Sequence, residues 1–483
     1  MGIPGGRIEL PIRSLTVVAL LWAAIAPANS QTPGNQPPAP FAAGQVIDSV
    51  ACAGDPTETY ALYLPSTYTP AKRWPIIYAF DPLARGRVPV KLYKDAAEKY
   101  GYIVAGSNNS RNFSMAESSK GANAMWLDTH ARLSLDERQT YTTGFSGGAR
   151  VAGLVALRCA ECRIAGVIAH GAGYPDTGQP WQKDAFLYFL AVGDQDFNWP
   201  EVINIRRQRE EMGSPYRVRV FPGEHQWAPP AVIEDAVEWI HLKAMQAGIR
   251  PRDTAFIDGF FRRMQAEASD AGKRGDAIAE LSAYRALVSD FAGLKDVSEY
   301  ERKLVALKGS SELKKARKKE EDTIAEQQSL SADISAKLDG LPEAGTDQRV
   351  ERRQAVLDGM TQLKSQAEHS KSEDKRLVRL RAFNDLWARG IEAGQAEFEQ
   401  KHFANAEYYF RLMAEISAAE PWPSLLLAET RTAMGNKKQA IKDIREAIRR
   451  GLKNPEVLEK DKNLEGLQSE AEFQKIVGEL RAK

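Results

Sequence analysis

Up to about Leu242 the chain alternates short apolar runs with stretches whose apolar residues recur every three or four positions. The runs Tyr60–Leu64, Trp74–Phe80, Tyr102–Ala105, Thr140–Phe145, Ile164–Ala169, Phe186–Val192 and Tyr216–Phe221 read as strands. Several are apolar throughout, the composition of strands covered on both faces. The intervening Val90–Lys99, Ala116–Arg132, Gly148–Leu157, Pro200–Met212 and Ala231–Ala247 read as helices, and the last carries Val232, Ala236, Ile240 and Ala244 on one face. This alternation predicts an α/β domain over residues 42–247, a mostly parallel sheet flanked by helices.

Beyond Asp253 the chain changes to nearly continuous helix formers, and an all-α second half is expected. A helical hairpin around Arg274-Gly275-Asp276 is expected within residues 253–307. Residues 308–385 are dominated by charged and polar side chains and predict long exposed helices or a coiled-coil-like hairpin, broken at Gly340-Leu-Pro342-Glu-Ala-Gly345. A solvated face is the first reading of that stretch and a binding surface the second. Residues 386–483 recover apolar density: Ala406 precedes Phe410, and 34 residues later Ala440 precedes Ile444, with Gly394, Gly435 and Ala447 at matching places. That period, with small residues where helices touch, resembles tetratricopeptide repeats. The resemblance implies either a concave face for a protein partner or a cap on the neighbouring domain.

At 483 residues the chain is long enough for two or three domains, and its 43% apolar content is that of a globular protein. With 65 Lys plus Arg against 64 Asp plus Glu, there is no electrostatic reason to expect nucleic acid or an anionic membrane as partner. The beginning is patterned differently. Arg7 and Arg13 precede an apolar run from Leu15 to Ile25, followed by Ala26-Pro27-Ala28-Asn29-Ser30. A basic start, a short apolar core and small residues describe a secretory signal over residues 1–30, cleaved after Ala28 or Ser30. The run falls short of the roughly 20 residues that span a bilayer, so no membrane anchor is expected after its removal. Residues 31–41 are Pro-rich and polar and read as a flexible lead-in. The expected location is therefore periplasmic or secreted. Export allows disulfides among Cys52, Cys159 and Cys162, and the pairing stays open. No second Cys or His pair accompanies Cys159 and Cys162 at ligand spacing, so no metal is expected.

The candidate chemistry lies in the first half. Thr143-Gly144-Phe145-Ser146-Gly147-Gly148 follows a predicted strand and precedes a helix, the context of a nucleophile elbow. The glycines leave room for a sharp turn that lifts the Ser146 hydroxyl above the sheet and points the helix N-terminus at it. A nucleophilic serine needs a base. In sheets with such an elbow the order is serine, acid, histidine, with the base after the last strand. Of the six histidines only His225, in Phe221-Pro-Gly-Glu-His225-Gln-Trp227, satisfies that order. The acid falls in Gly193-Asp194-Gln195-Asp196, where Asp196 is preferred to Asp194 and holds the imidazole in its tautomer.

These segments, Gly144–Gly148, Gly193–Asp196 and Gly223–Trp227, resemble the α/β-hydrolase family, especially secreted esterases of the poly(hydroxyalkanoate)-depolymerase and feruloyl-esterase type. The resemblance implies hydrolysis through an acyl-enzyme, without a cofactor. It also implies an oxyanion hole with one amide from Gly147 and a second from the loop after the third strand. There the family usually shows His-Gly, whereas this chain reads Phe80-Asp81-Pro82-Leu83. Pro82 has no N–H, so Leu83 or Asp81 must supply the second donor. Trp199 and Trp227, beside acid and base, are candidate pocket residues, although core packing explains either equally well. Arg111, in the loop Ser107–Asn112, either meets an acidic substrate group or braces the loop.

The resulting expectation is an exported serine hydrolase acting on a small-molecule or polymeric ester, with peptide bonds open to the same chemistry. The alternative is a periplasmic repeat-type adaptor carrying an impaired hydrolase fold, favoured by the Asp81-Pro82 substitution.

Overall fold

The computed structural model describes residues 41–112, 114–174, 186–339, 341, 346–417 and 419–482. The expected signal, nearly all of the lead-in and most of the 340–345 break lie outside them.

Eight strands form one sheet: β1 (Val46–Cys52), β2 (Asp55–Tyr63), β3 (Trp74–Phe80), β4 (Ile103–Ser107), β5 (Leu135–Phe145), β6 (Gly166–His170), β7 (Leu187–Gly193) and β8 (Tyr216–Phe221). Their spatial order is β1-β2-β4-β3-β5-β6-β7-β8. β1 and β2 are antiparallel to their neighbours, and every other pairing is parallel. Parallel strands are joined by crossovers, most often helices, and crossover helices among the described residues serve every parallel connection but β6 to β7. These are α1 (Arg87–Tyr100), α2 (Met115–Arg132), α3 (Gly147–Arg158) and α4 (Trp199–Met212), and α5 (Pro230–Gln246) follows β8. Alternate strand residues feed two separate cores. Ile77, Val104, Tyr141, Ile168 and Phe189 pack toward α1 and α5. Ile76, Tyr78, Ile103, Val167 and Leu190 pack toward α2, α3 and α4. The sheet is thus covered on both faces, which is why its strands lack polar alternation.

The change of character near residue 250 is not a break in packing. Helices α6 (Thr254–Arg274), α7 (Ala277–Phe291) and α8 (Ser298–Lys308) extend the α1–α5 core through Ile257, Phe260, Leu287 and Tyr300. The expected hairpin turns at Gly275, in the left-handed region at φ 68°, and Asp276 caps α7 by accepting from the Ala279 amide.

Then come α9 (Ser311–Asp339), α10 (Thr346–Glu368), α11 (Glu373–Glu399), α12 (Phe403–Ile416), α13 (Trp422–Ala433) and α14 (Lys437–Arg449). The charged stretch is not merely a solvated face. One stripe of α9 is buried, and it holds Glu320, Gln327 and Ser331 beside Leu313, Ile324, Ile334 and Leu338. Burying polar side chains demands partners: Ser331 turns back onto its own helix, whereas Glu320 and the Gln327 amide find theirs in the α/β half. Glu320 is held by Arg206 at 2.5 Å and Arg207 at 2.8 Å, both on α4. Further along, Gly394 lets α11 and α12 approach, since a methyl group there would stand 2.5 Å from the Phe410 ring.

Cys159, which caps the end of α3, is bonded to Cys162, while Cys52 is free and buried. Burial raises the Cys52 thiol to about 11. Among the described residues no helix is long and apolar enough to cross a membrane.

Candidate active site

Parallel strands end together, so the loops after β3, β4, β5, β6, β7 and β8 gather at one sheet edge. Ser146 stands between β5 and α3 with φ 53° and ψ −123°, strained for a residue with a side chain. Packing enforces that turn. A methyl group on Gly144 would come 2.1 Å from the Gly148 carbonyl oxygen, and one on Gly148 would come 2.1 Å from that of Phe80. The Ser146 amide donates to the His170 carbonyl at 2.9 Å, tying the turn to β6.

The geometry brings three of the expected residues into line. Ser146 Oγ lies 2.9 Å from His225 Nε2. His225 Nδ1 lies 2.9 Å from both carboxylate oxygens of Asp196. Asp196 is fully buried, and the His225 side chain is 20% exposed. Rings of Phe145 and Phe197 flank the imidazole, with centroids 4.6 Å and 4.3 Å away. The other acid candidate serves the backbone instead. Asp194 Oδ1 accepts from the Gly223 amide at 3.1 Å and anchors the histidine loop.

The remaining expected residues are placed as follows. Gly147 is the first residue of α3, so its amide has no carbonyl one turn back and is free to face the site. The Leu83 amide is not free: it donates to Asp81 Oδ1 at 3.0 Å. Asp81 is the better placed of the two loop donors, because its amide has no acceptor among the described residues and packs beside Gly148. Its buried carboxylate is also held by Arg85 and by Trp227 Nε1 at 2.9 Å. Trp227 therefore braces the β3 loop. Trp199 lies beneath the Arg381 guanidinium of α11, 4.2 Å from its ring centre. Arg111 pairs with Glu117 at 3.4 Å, and its backbone bridges Leu83, whose side chain is 53% exposed.

Several contributors have no signal in the local pattern. Asn198 donates its amide to Asp196 Oδ1 at 2.9 Å and its side chain to the Gly171 carbonyl at 2.8 Å. The Asn112 side chain packs directly on Gly147. Glu392 of α11 lies within electrostatic reach of His225 and Arg150. Solvent reaches its side chain, yet the surrounding protein pushes its carboxyl above the usual range, against the pull of His225, Arg150 and Arg389. Among the described residues no three His, Cys, Asp or Glu converge as metal ligands.

Beneath the serine, His170 is fully buried, its Nε2 2.8 Å from the Tyr93 hydroxyl. Burial alone lowers it to about 3. A histidine kept neutral in the fold binds a proton only after unfolding, so its contribution is intact above about pH 6.5 and is lost as pH falls toward 3. Between pH 6.5 and 5 this one residue is expected to cost roughly 2 kcal/mol, at about 1.4 kcal/mol per pH unit. Urea midpoints at pH 7, 6 and 5 for the wild type and His170→Asn test it; identical pH slopes would refute the assignment.

No protein-family model matches the chain, and no curated protein matches it. Solved structures similar to it include FphF, a fluorophosphonate-binding serine hydrolase of Staphylococcus aureus (15% identity, 41% of this chain and 99% of that one, TM-score 0.35). S-formylglutathione hydrolase FrmB from the same organism is 14% identical over 42% of this chain and 98% of its own, with TM-score 0.34. Esterase LipW from Mycobacterium marinum is 15% identical over 40% of this chain and 81% of its own, with TM-score 0.32.

Proposed function

We propose that the chain is an exported serine hydrolase that cleaves carboxylic esters through an acyl-enzyme. The observation that supports this reading is the unbroken line from Ser146 Oγ to His225 to buried Asp196, each step 2.9 Å. Ser146 attacks the ester carbonyl as His225 Nε2 takes its proton, and Asp196 stabilises the imidazolium through Nδ1–H. The tetrahedral oxyanion is held by the Gly147 amide and the Asp81 amide, at the positive end of α3. Collapse expels the alcohol, protonated by His225, and leaves an acyl group on Ser146. Water then repeats the sequence and releases the acid. With the Asp81 amide as second donor, the substitution of His-Gly by Asp81-Pro82 does not by itself disable the hole. Export is supported by the patterned first thirty residues and agrees with the Cys159–Cys162 bond.

The test is covalent. A fluorophosphonate probe given to the mature protein should stop p-nitrophenyl butyrate hydrolysis and add its phosphonyl mass to the peptide containing Ser146. An unlabelled protein, or label on another serine with activity abolished, would overturn the reading.

A further inference from the structure

The loop from Asp194 to Asn198 has two sides. Its amides face the α/β half: Asp194 N–H donates to the Phe221 carbonyl and Gln195 N–H to the Gly223 carbonyl, both at 2.9 Å. Three of its carbonyls, those of Asp194, Gln195 and Phe197, face the helical half. Arg381 Nη1 donates to the Asp194 carbonyl at 2.8 Å, and Asn384 Nδ2 donates to that of Gln195 at 3.0 Å. Gln327 Nε2 donates to the Phe197 carbonyl at 3.2 Å. The carbonyls on either side of Asp196 are therefore held by side chains distant in sequence on α9 and α11.

The three donors are themselves constrained. Arg381 Nε donates to Gln327 Oε1 at 2.9 Å, and both residues are buried, 3% and 4% exposed. Stacking on Trp199, the residue opening α4, fixes the guanidinium plane. Arg206 and Arg207 of α4 bind Glu320 of α9 and make a second anchor beyond the loop. Position 392 lies eleven residues after 381, about 20° away around a helix of 3.6 residues per turn. The face that grips the loop thus continues along α11 toward Glu392, His225 and Arg150.

Three side-chain donors thus converge on one short loop, two of them on the carbonyls that flank Asp196. A catalytic carboxylate must be held to within about 0.5 Å, and misplacement by about 1 Å costs on the order of 100-fold in rate. We propose that α9 and α11 belong to the catalytic apparatus, with Arg381, Asn384 and Gln327 as positioning residues that hold Asp196 in line with His225. The helical half is then a condition of activity and not an appendage to it. This inference rests on the ester-hydrolase reading.

A kinetic double-mutant cycle on the full mature chain tests it. Arg381→Met is expected to lower kcat for p-nitrophenyl acetate on the order of 100-fold and Asn384→Ala on the order of 10-fold, with KM unchanged. Arg381→Lys should recover part of the loss. In an Asp196→Asn background, followed with enzyme in excess, the same substitutions should change the rate less than about 2-fold, since no positioned acid is left to disturb. Equal fractional losses in both backgrounds, or full kcat in folded single variants, would overturn the inference. If Arg381→Met does not fold, Asn384→Ala and Gln327→Ala decide alone. Lack of Ser146-dependent turnover in the unaltered chain would instead defeat the reading of the reaction.

Discussion

Ser146→Ala is expected to lower ester turnover by about 10⁶-fold while leaving the fold and its stability nearly unchanged. Among the described residues the hydroxyl's hydrogen bond is to His225 Nε2, so removing it leaves the surrounding backbone bonds intact. The turn itself is imposed by the close approach of Gly144, Gly148 and Phe80 and by the Ser146 amide bonded to His170. Alanine meets the same strain at φ 53° as serine and needs less room. What remains would be the contribution of the two oxyanion amides and of binding. The measurement is p-nitrophenyl acetate and butyrate hydrolysis by both proteins, with circular dichroism and thermal midpoints as controls. Equal rates in two folded proteins would rule out a nucleophilic Ser146.

The second large effect separates two carboxylates two residues apart. Asp196→Asn is expected to lower kcat about 10⁴-fold, because an amide that turns its NH₂ toward the ring favours the wrong tautomer and cannot stabilise the imidazolium. Asp194→Asn keeps an acceptor oxygen for the Gly223 amide, so its cost should stay below about 10-fold. Both are read as kcat at saturating p-nitrophenyl acetate. A larger loss at 194 than at 196 would reverse the assignment of the acid.

The strand most legible in the sequence is β3, which is buried along its whole length. Trp74–Phe80 and Tyr216–Phe221 are observed with the expected limits. β1 escaped notice because Val46–Cys52 is an edge strand in which Asp48, Ser49 and Ala51 are exposed, leaving a short and mixed pattern. The turn at Ser146 and the loops carrying Asp196 and His225 were legible for a different reason: glycine spacing and chain order are read directly along the chain. The amide choice after β3 was not, because it turns on Asp81 folding its carboxylate back onto the Leu83 N–H. The tryptophans were also out of reach. Trp227 Nε1 meets Asp81 and the Trp199 ring meets Arg381, partners far away along the chain.

By itself, then, the sequence determined the α/β half, the helical character of the rest, and which serine, histidine and acidic loop stand at the same sheet edge. These follow from periodicity and turn chemistry, which act over a few residues. Only the tertiary structure decided that α9 and α11 lie against the acid loop. Gln327, Arg381 and Asn384 look in sequence like ordinary residues of a solvated helix. A polar side chain reads the same whether it meets water or a carbonyl nearly two hundred residues away, because long-range docking leaves no period along the chain.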